Sequence, residues 1–200
     1  LTYPLQNNYG VPLGPYESGH IQVQGLVVSR YSQRHSHHAA VRSLGDWLRS
    51  ESIPAIEGID TRTLTRRLRE HGTVQGHLLL DRAGGCSAAG DQVQKDGADK
   101  IEMRTVVHQV SSREIVRHPG GDARVLLIDT GVKGTILRSL QQREASVIVA
   151  PYQAAWQKLL PEVDGVVIGN GPGDPKDLGD LAGQIRAIFP SGKPIFGICL

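Results

Sequence analysis

The chain has 200 residues, of which 39% are hydrophobic, 21% charged and 4% aromatic, and its net charge is +2 at neutral pH. This composition is typical of a globular protein of one or two domains, and the small net charge predicts no binding to nucleic acid or to a membrane surface. With two cysteines, Cys86 and Cys199, a disulfide framework is not expected, and a reducing compartment such as the cytoplasm is favoured.

The first part of the chain predicts short extended segments separated by loops. Residues 1–15 are rich in Pro, Gly, Asn and Tyr and are expected to be mostly loop, whereas residues 21–30 alternate and then turn apolar, which is typical of a strand. Residues 53–56 predict another extended segment, and residues 74–80 another strand. Residues 81–100 combine glycines with scattered charges and predict an exposed loop, or alternatively a weak helix around residues 98–103.

Two helices are expected in the same part of the chain. Ser43 is a candidate N-cap for a short helix, and Asp60 or Thr61 can cap a second helix that ends at Gly72. The second helix has Leu64 and Leu68 one turn apart, and its remaining surface carries Arg62, Arg66, Arg67 and Arg69. These arginines fit a solvated helix face, or alternatively a docking surface for a partner subunit.

Three histidines, His35, His37 and His38, lie within residues 31–41. A metal site would need cysteine or carboxylate ligands at suitable spacing, and this segment does not supply them. A solvated loop is therefore the favoured interpretation, and no metal site is predicted.

A strong breaker of regular structure at residues 118–122 predicts a boundary between a domain at 1–120 and a second domain at 121–200. After it, apolar strands alternate with helices. The expected strands cover 124–129, 146–150, 164–169 and 194–198, and the expected helices cover 133–143, 153–160 and 178–189. This alternation predicts βαβ units and a doubly wound parallel sheet, in which ligands bind beyond the carboxyl ends of the strands.

Three segments of chemical interest lie at these strand ends: residues 129–131, residues 170–175 and Cys199. Gly197-Ile198-Cys199 forms half of the Gly-x-nucleophile-x-Gly elbow, whose sharp turn lifts a nucleophile above the edge of the sheet. A helix that begins after the elbow favours the thiolate. The backbone N–H of Leu200 is the usual oxyanion donor in an elbow, and the N–H of Gly171 can supply the second donor.

A nucleophilic cysteine also needs a base, normally a histidine held by a carboxylate. Residues 124–200 contain no histidine. The base is therefore expected beyond Leu200, and the sequence is interpreted as a fragment that stops at the end of a central strand.

The segments that carry this chemistry resemble the class I, triad-type glutamine amidotransferase domain. The resemblance lies in GNGPGDP at residues 169–175 and PIFGICL at residues 194–200. These two motifs do not separate the amidotransferases of carbamoyl-phosphate, guanylate, anthranilate and CTP synthases.

A longer motif narrows the family. GIDTRTLTRRLREHG at residues 58–72, together with residues 1–4 and 24–28, resembles the amino-terminal domain of the small subunits of glutamine-hydrolysing carbamoyl-phosphate synthases. DTGVK at residues 129–133 resembles the start of the amidotransferase domain in the same family. The resemblance implies an α/β chain: an α+β amino-terminal domain, followed by the first half of a flavodoxin-like amidotransferase domain with a parallel sheet.

By this resemblance, Cys199 is the nucleophile. Gly171, Gly173 and Leu200 occupy positions whose backbone holds glutamine, and Gly171 and Leu200 form the oxyanion hole. The family's catalytic His and Glu have no counterpart in the sequence. Gly134 stands where the family commonly has Asn, and Gly169 where it often has Ser.

The resemblance also implies partners and a pathway. Ammonia released from glutamine passes to a large subunit, in a heterodimer or higher oligomer, which uses bicarbonate and ATP with Mg to make carbamoyl phosphate for arginine and pyrimidine biosynthesis. No cofactor is implied for this chain itself, and a cytoplasmic location is expected. Two alternatives stay open: an amidotransferase that feeds another synthase, and a flavodoxin-like binding module without turnover.

Overall fold

The structure is a computed structural model that describes residues 1–72, 74, 76–78, 103–174, 176 and 178–199. The chain divides into two compact units, Leu1–Lys100 and Ile101–Leu200. The loop predicted at 81–100, which contains Cys86, lies outside the described residues, as does part of the strand predicted at 74–80.

The first unit contains short strands that pair two by two. In chain order they are β1 (Leu5–Gln6), β2 (Val11–Pro12), β3 (Leu26–Val27), β4 (Arg30–Tyr31), β5 (Ala40–Arg42) and β6 (Ala55–Ile56). β1 pairs with β4 and β3 with β6 in parallel, whereas β2 and β5 are antiparallel. The region predicted as loop at 1–15 therefore contains two short strands.

The strand predicted at 21–30 is much shorter than expected. Only Leu26–Val27 and Arg30 belong to strands within that range. The start of the segment is held by a side chain instead, because the N–H of Ile21 donates to the Glu51 carboxylate at 2.5 Å. An amide bound in this way cannot also join a sheet ladder.

Both helices predicted in the first unit are confirmed, and so are their caps. Helix α1 (Leu44–Ser50) begins after Ser43, whose Oγ accepts the N–H of Asp46 at 3.0 Å. Helix α2 (Thr61–His71) begins after Asp60, whose Oδ1 accepts the N–H of Thr63 at 3.0 Å, and it ends at Gly72 with φ of +75°. These bonds satisfy amide groups that an α-helix leaves without a partner in its first turn.

The second unit is built on a sheet that has five strands among the described residues. Its elements in chain order are α3 (Met103–Val110), β7 (Val116–His118), β8 (Arg124–Asp129), α4 (Gly134–Gln141), β9 (Ser146–Pro151), β10 (Gly165–Ile168), α5 (Gly179–Ile188) and β11 (Ile195–Gly197). The strands lie in the order β11-β10-β8-β9-β7. β8, β9, β10 and β11 run parallel, as predicted, and their order is that of a flavodoxin-like sheet.

The compact units divide earlier than the boundary expected at residue 120. β7 pairs antiparallel with β9, with Val116 opposite Val149. Val107 of α3 is fully buried in the core of the second unit. β7 therefore belongs to the five-stranded sheet of the second unit, and α3 belongs to a layer that covers it.

The prediction of a helix at 153–160 is wrong. Two short 3₁₀ turns occupy this part of the chain, Trp156–Lys158 and Leu160–Glu162. Trp156 is fully buried, and its indole N–H donates to the carbonyl oxygen of Pro151 at 3.1 Å. Pro161 has no amide hydrogen, so no regular α-helix continues through it.

Apolar side chains cover both faces of the parallel sheet. Along β8, Leu126 and Ile128 enter the core that contains α5, Val107 and Trp156, whereas Leu127 enters the core against α4. This alternation gives the three layers of a doubly wound fold. After β8 the chain passes first to β9 on one side and later to β10 on the other, so the carboxyl ends of β8 and β10 flank the point where the strand order reverses. Ligands bind at this point in open α/β sheets.

Candidate active site

Cys199 lies directly beyond β11 at the carboxyl edge of the sheet. β11 is parallel to β10, with Ile168 opposite Gly197, and the N–H of Ile198 still donates to the carbonyl oxygen of Ile168 at 2.9 Å. The next residue, Cys199, is an exposed free thiol with φ of +73°. A non-glycine residue rarely adopts this left-handed conformation, and such backbone strain is a feature of nucleophile elbows.

The loop at residues 169–174 leaves the same edge from the neighbouring strand. The N–H of Gly169 donates to the carbonyl oxygen of Ile128 at 3.1 Å, which holds the start of the loop against β8. Gly171 is partly buried, and Gly173 has φ of +87°, a conformation that glycine adopts without a steric cost. The register of β10 and β11 therefore brings Cys199, Gly171 and Gly173 to one edge of the sheet, as the sequence predicted.

Leu200, the remaining residue predicted for the site, lies outside the described residues. Its assignment as a glutamine-contacting oxyanion donor stays a prediction.

Two polar side chains hold the 169–174 loop, and the sequence did not assign a role to either. The hydroxyl of Thr130, which is fully buried, lies 3.0 Å from the carbonyl oxygen of Asn170 and 3.2 Å from that of Gly169. The side-chain oxygen of Asn170 accepts the N–H of Lys133 at 3.2 Å. The only available signal was the position of Thr130 and Asn170 at the ends of two buried strands.

Asp129 fixes the turn that contains Thr130. One carboxylate oxygen accepts the N–H groups of Gly131 and Val132, both at 2.8 Å. The other accepts the N–H of Ser112 at 2.7 Å. Because this buried carboxylate is bonded to backbone amides, its role here is to hold the turn and the end of β8.

Neighbouring atoms leave no room for a side chain at Gly169. A Cβ atom there would lie 2.0 Å from a methyl group of Val132 and 3.1 Å from the carbonyl oxygen of Ile128. Val132 thus fills the space that a side chain at position 169 would need. This packing accounts for the glycine at this position.

The histidine-rich loop of the first unit forms ring contacts. The rings of His37 and His38 lie 4.3 Å apart, and Tyr9 lies 5.5 Å from His37. Within the described part of the chain, no group of three or more His, Cys, Asp or Glu side chains is arranged to hold a metal ion.

No helix in the described ranges combines the length and the apolar character that are needed to cross a bilayer.

Two protein families match the chain, one within each compact unit. The family described as carbamoyl-phosphate synthase small chain, CPSase domain, matches residues 1–78. The family described as glutamine amidotransferase class-I matches residues 126–200. The second match begins within β8 and includes the 169–174 loop and Cys199.

Individual relatives match the whole chain. It is 39% identical over 203 residues to the carbamoyl phosphate synthase small chain of Bacillus cereus, and 40% identical over 212 residues to that of Listeria monocytogenes. It is also 40% identical over 215 residues to the carbamoyl phosphate synthase arginine-specific small chain of Neurospora crassa. Each match covers 100% of this chain, but 53%, 54% and 46% of the respective relative, so the chain spans about half the length of these proteins. The chain therefore carries a carbamoyl-phosphate synthase small-chain domain followed by part of a class I glutamine amidotransferase domain, and it is similar along its whole length to carbamoyl phosphate synthase small chains.

Proposed function

We propose that the protein containing this chain hydrolyses glutamine and supplies ammonia for the synthesis of carbamoyl phosphate. The observation that carries the proposal is the left-handed backbone of the exposed Cys199, directly after a parallel strand and beside the 169–174 loop. This is the geometry that an elbow needs to present a thiolate to a bound carbonyl group.

The chemistry begins when the Cys199 thiolate attacks the carboxamide carbon of glutamine. A carbon–sulfur bond forms, and the carbonyl π electrons move to the oxygen, which becomes an oxyanion. The N–H groups of Gly171 and Leu200 are the proposed donors to this oxyanion, and the backbone of Gly173 is a further proposed glutamine contact.

Collapse of the tetrahedral intermediate breaks the carbon–nitrogen bond. The departing nitrogen takes a proton from a general acid and leaves as ammonia. Water, deprotonated by the same group acting as a base, then attacks the glutamyl thioester and breaks the carbon–sulfur bond, which gives glutamate and restores the thiolate. The resemblance implies that this group is a histidine held by a glutamate, for which the 200-residue sequence has no counterpart.

The proposed destination of the ammonia is a large subunit, bound in a heterodimer or higher oligomer. There ammonia, bicarbonate and ATP with Mg would yield carbamoyl phosphate. The match of residues 1–78 to the CPSase domain supports this partner over a different synthase. The arginine-specific name of the Neurospora crassa relative supports a role in arginine biosynthesis, and a role in pyrimidine biosynthesis is part of the same proposal. A cytoplasmic location is also proposed, supported by the low cysteine content.

The decisive experiment compares two nitrogen sources in the complex of the full-length protein with its large subunit. We expect Cys199→Ser to abolish carbamoyl phosphate synthesis from glutamine and to leave synthesis from ammonia unchanged. Cys86→Ser is the matched control, because it removes the other cysteine of this sequence, and it should retain both activities.

Three results would contradict parts of this proposal. Glutamine hydrolysis by Cys199→Ser would exclude Cys199 as the nucleophile. Glutaminase activity without carbamoyl phosphate synthesis, in a protein that co-purifies with another synthase, would favour the alternative amidotransferase. Glutamine binding without turnover in the wild-type protein would favour the binding module.

A further inference from the structure

We propose that Thr130 is a positioning residue for the oxyanion site: its hydroxyl sets the direction of the Gly171 N–H by holding the peptide group between Asn170 and Gly171. This inference rests on the proposed hydrolysis of glutamine, because it concerns one of the two oxyanion donors of that reaction.

The geometry of the peptide group connects the two residues. The carbonyl of Asn170 and the N–H of Gly171 belong to the same peptide unit, which is planar, with its C=O and N–H pointing in opposite directions. The Thr130 hydroxyl lies 3.0 Å from this carbonyl oxygen. A bond that fixes the carbonyl on one side therefore fixes the N–H on the other side.

Asn170 is held at a second point. Its side-chain oxygen accepts the N–H of Lys133 at 3.2 Å, so its carbonyl and its side chain are both bound to residues of the turn that follows β8. Rotation of the peptide group between Asn170 and Gly171 would break the bond to Thr130. The loop thus has a defined orientation before any ligand binds.

Thr130 is well suited to this task because it is itself immobile. Its side chain is fully buried, and the hydroxyl is also within 3.2 Å of the Gly169 carbonyl oxygen. A β-branched side chain has few accessible χ1 rotamers, and the turn around it is fixed by the Asp129 carboxylate. The hydroxyl hydrogen therefore has two neighbouring carbonyl acceptors and no access to water.

The test is the glutaminase activity of Thr130→Val and Thr130→Ser in the full-length protein bound to its large subunit. Valine keeps the shape of threonine and removes the hydroxyl, whereas serine keeps the hydroxyl. An oxyanion donor stabilises the transition state more than the bound substrate. Displacing the Gly171 N–H in Thr130→Val should therefore lower kcat about tenfold and change KM by less than about twofold. Thr130→Ser should recover kcat to within about threefold of wild type, since the bond can form again.

Ser191→Ala is the matched control. Its hydroxyl also donates to a backbone carbonyl, that of Ile188 at 2.6 Å, but it lies before β11, at the opposite edge of the same sheet. We expect wild-type kcat and KM for this variant. The rate at which iodoacetamide alkylates Cys199, followed on its peptide by mass spectrometry, should be the same in wild type and in Thr130→Val, because the elbow itself is unchanged.

Several results would overturn the inference. Wild-type kcat in Thr130→Val would do so, and so would equal losses in the valine and serine variants, because the hydroxyl would then not be the cause. A tenfold slower alkylation of Cys199 in Thr130→Val would show that the elbow has moved instead of the loop. Failure of the proposed glutamine hydrolysis would give a different result from failure of the Thr130 inference. The wild-type protein would then hydrolyse no more glutamine than Cys199→Ser, and both proposals would be wrong.

Discussion

The backbone N–H of Ile198 donates a hydrogen bond of 2.9 Å to the carbonyl oxygen of Ile168 on the neighbouring strand. This bond continues the β10–β11 ladder past its last paired residues, Ile168 and Gly197. Strands β10 and β11 consequently leave the sheet side by side, β10 into the glycine-rich loop and β11 into Cys199. The proximity of the thiol and the loop is thus a product of strand register.

The left-handed backbone at Cys199 leads to a prediction about stability. At φ of +73° an alanine carries a steric penalty that glycine does not, so Cys199→Gly should have a free energy of unfolding about 1 kcal/mol higher than that of Cys199→Ala. Urea unfolding of the two variants measures this difference. At Gln141, an exposed residue in the last turn of α4, the same pair of substitutions should give the opposite order. Equal or greater stability of Cys199→Ala would argue against a strained elbow.

The contact between Gly169 and Val132 predicts a coupled pair of substitutions. Gly169→Ala places a methyl group 2.0 Å from a Val132 methyl and should lower the free energy of unfolding by about 1–3 kcal/mol. Adding Val132→Ala should restore part of this loss. The coupling is measured by a double-mutant cycle in urea, and strictly additive losses would exclude the contact as the cause.

A control for the Gly169 experiment lies in helix α5. A Cβ atom at Gly183 would meet no atom within 4 Å apart from the nearby backbone of its own helix, and the position is exposed. Gly183→Ala should therefore raise the free energy of unfolding by about 0.5–1 kcal/mol, as expected for an open helical site.

The ion pair between Arg124 and Asp164 predicts a pH dependence of stability. The Arg124 guanidinium donates to the Asp164 carboxylate at 2.7 Å and, with its backbone N–H, lowers the pKa of that carboxyl group from 3.8 to about 2. A carboxyl group whose pKa is lower in the folded state contributes stability above its ordinary pKa and loses it as the pH falls through the folded value. The contribution should thus be complete above about pH 4 and disappear toward about pH 2.

Thermal unfolding of wild type and Asp164→Asn across this range checks the prediction. The Tm difference between the two proteins should shrink as the pH falls, and it should be small throughout and smaller in high salt, because both side chains are about half exposed. A difference that stays constant from neutral to acid pH would contradict the assignment.

The strands of the second unit could be predicted because their signal is local. Residues 124–129 and 146–150 are nearly continuous apolar runs, which are typical of a strand covered on both faces. The helix caps at Ser43 and Asp60 are likewise contained within four residues of sequence. Cys199 was found in the same way, from the pattern of an apolar strand followed by a nucleophile.

Other features depend on partners that are distant in the chain. The glutamate that holds Ile21 is 30 residues away. The helix expected at 153–160 is replaced by turns around Trp156, which is buried in the same core as Val107 and Leu126. The role of Thr130 depends on a carbonyl group 40 residues later, which reaches it only through the pairing of β8 with β10. Local pattern carries no information about such pairs.

Strands β8 and β10 are tied together at both ends. At the amino ends, the Asp164 carboxylate accepts the backbone and guanidinium N–H groups of Arg124, and at the carboxyl ends the Thr130 hydroxyl reaches two carbonyl groups of the following loop. Sliding of one strand along the other would break both sets of bonds at once. The relative position of the turn after β8 and the loop after β10 is therefore set during folding, and a small ligand that binds at this edge has little backbone entropy to remove.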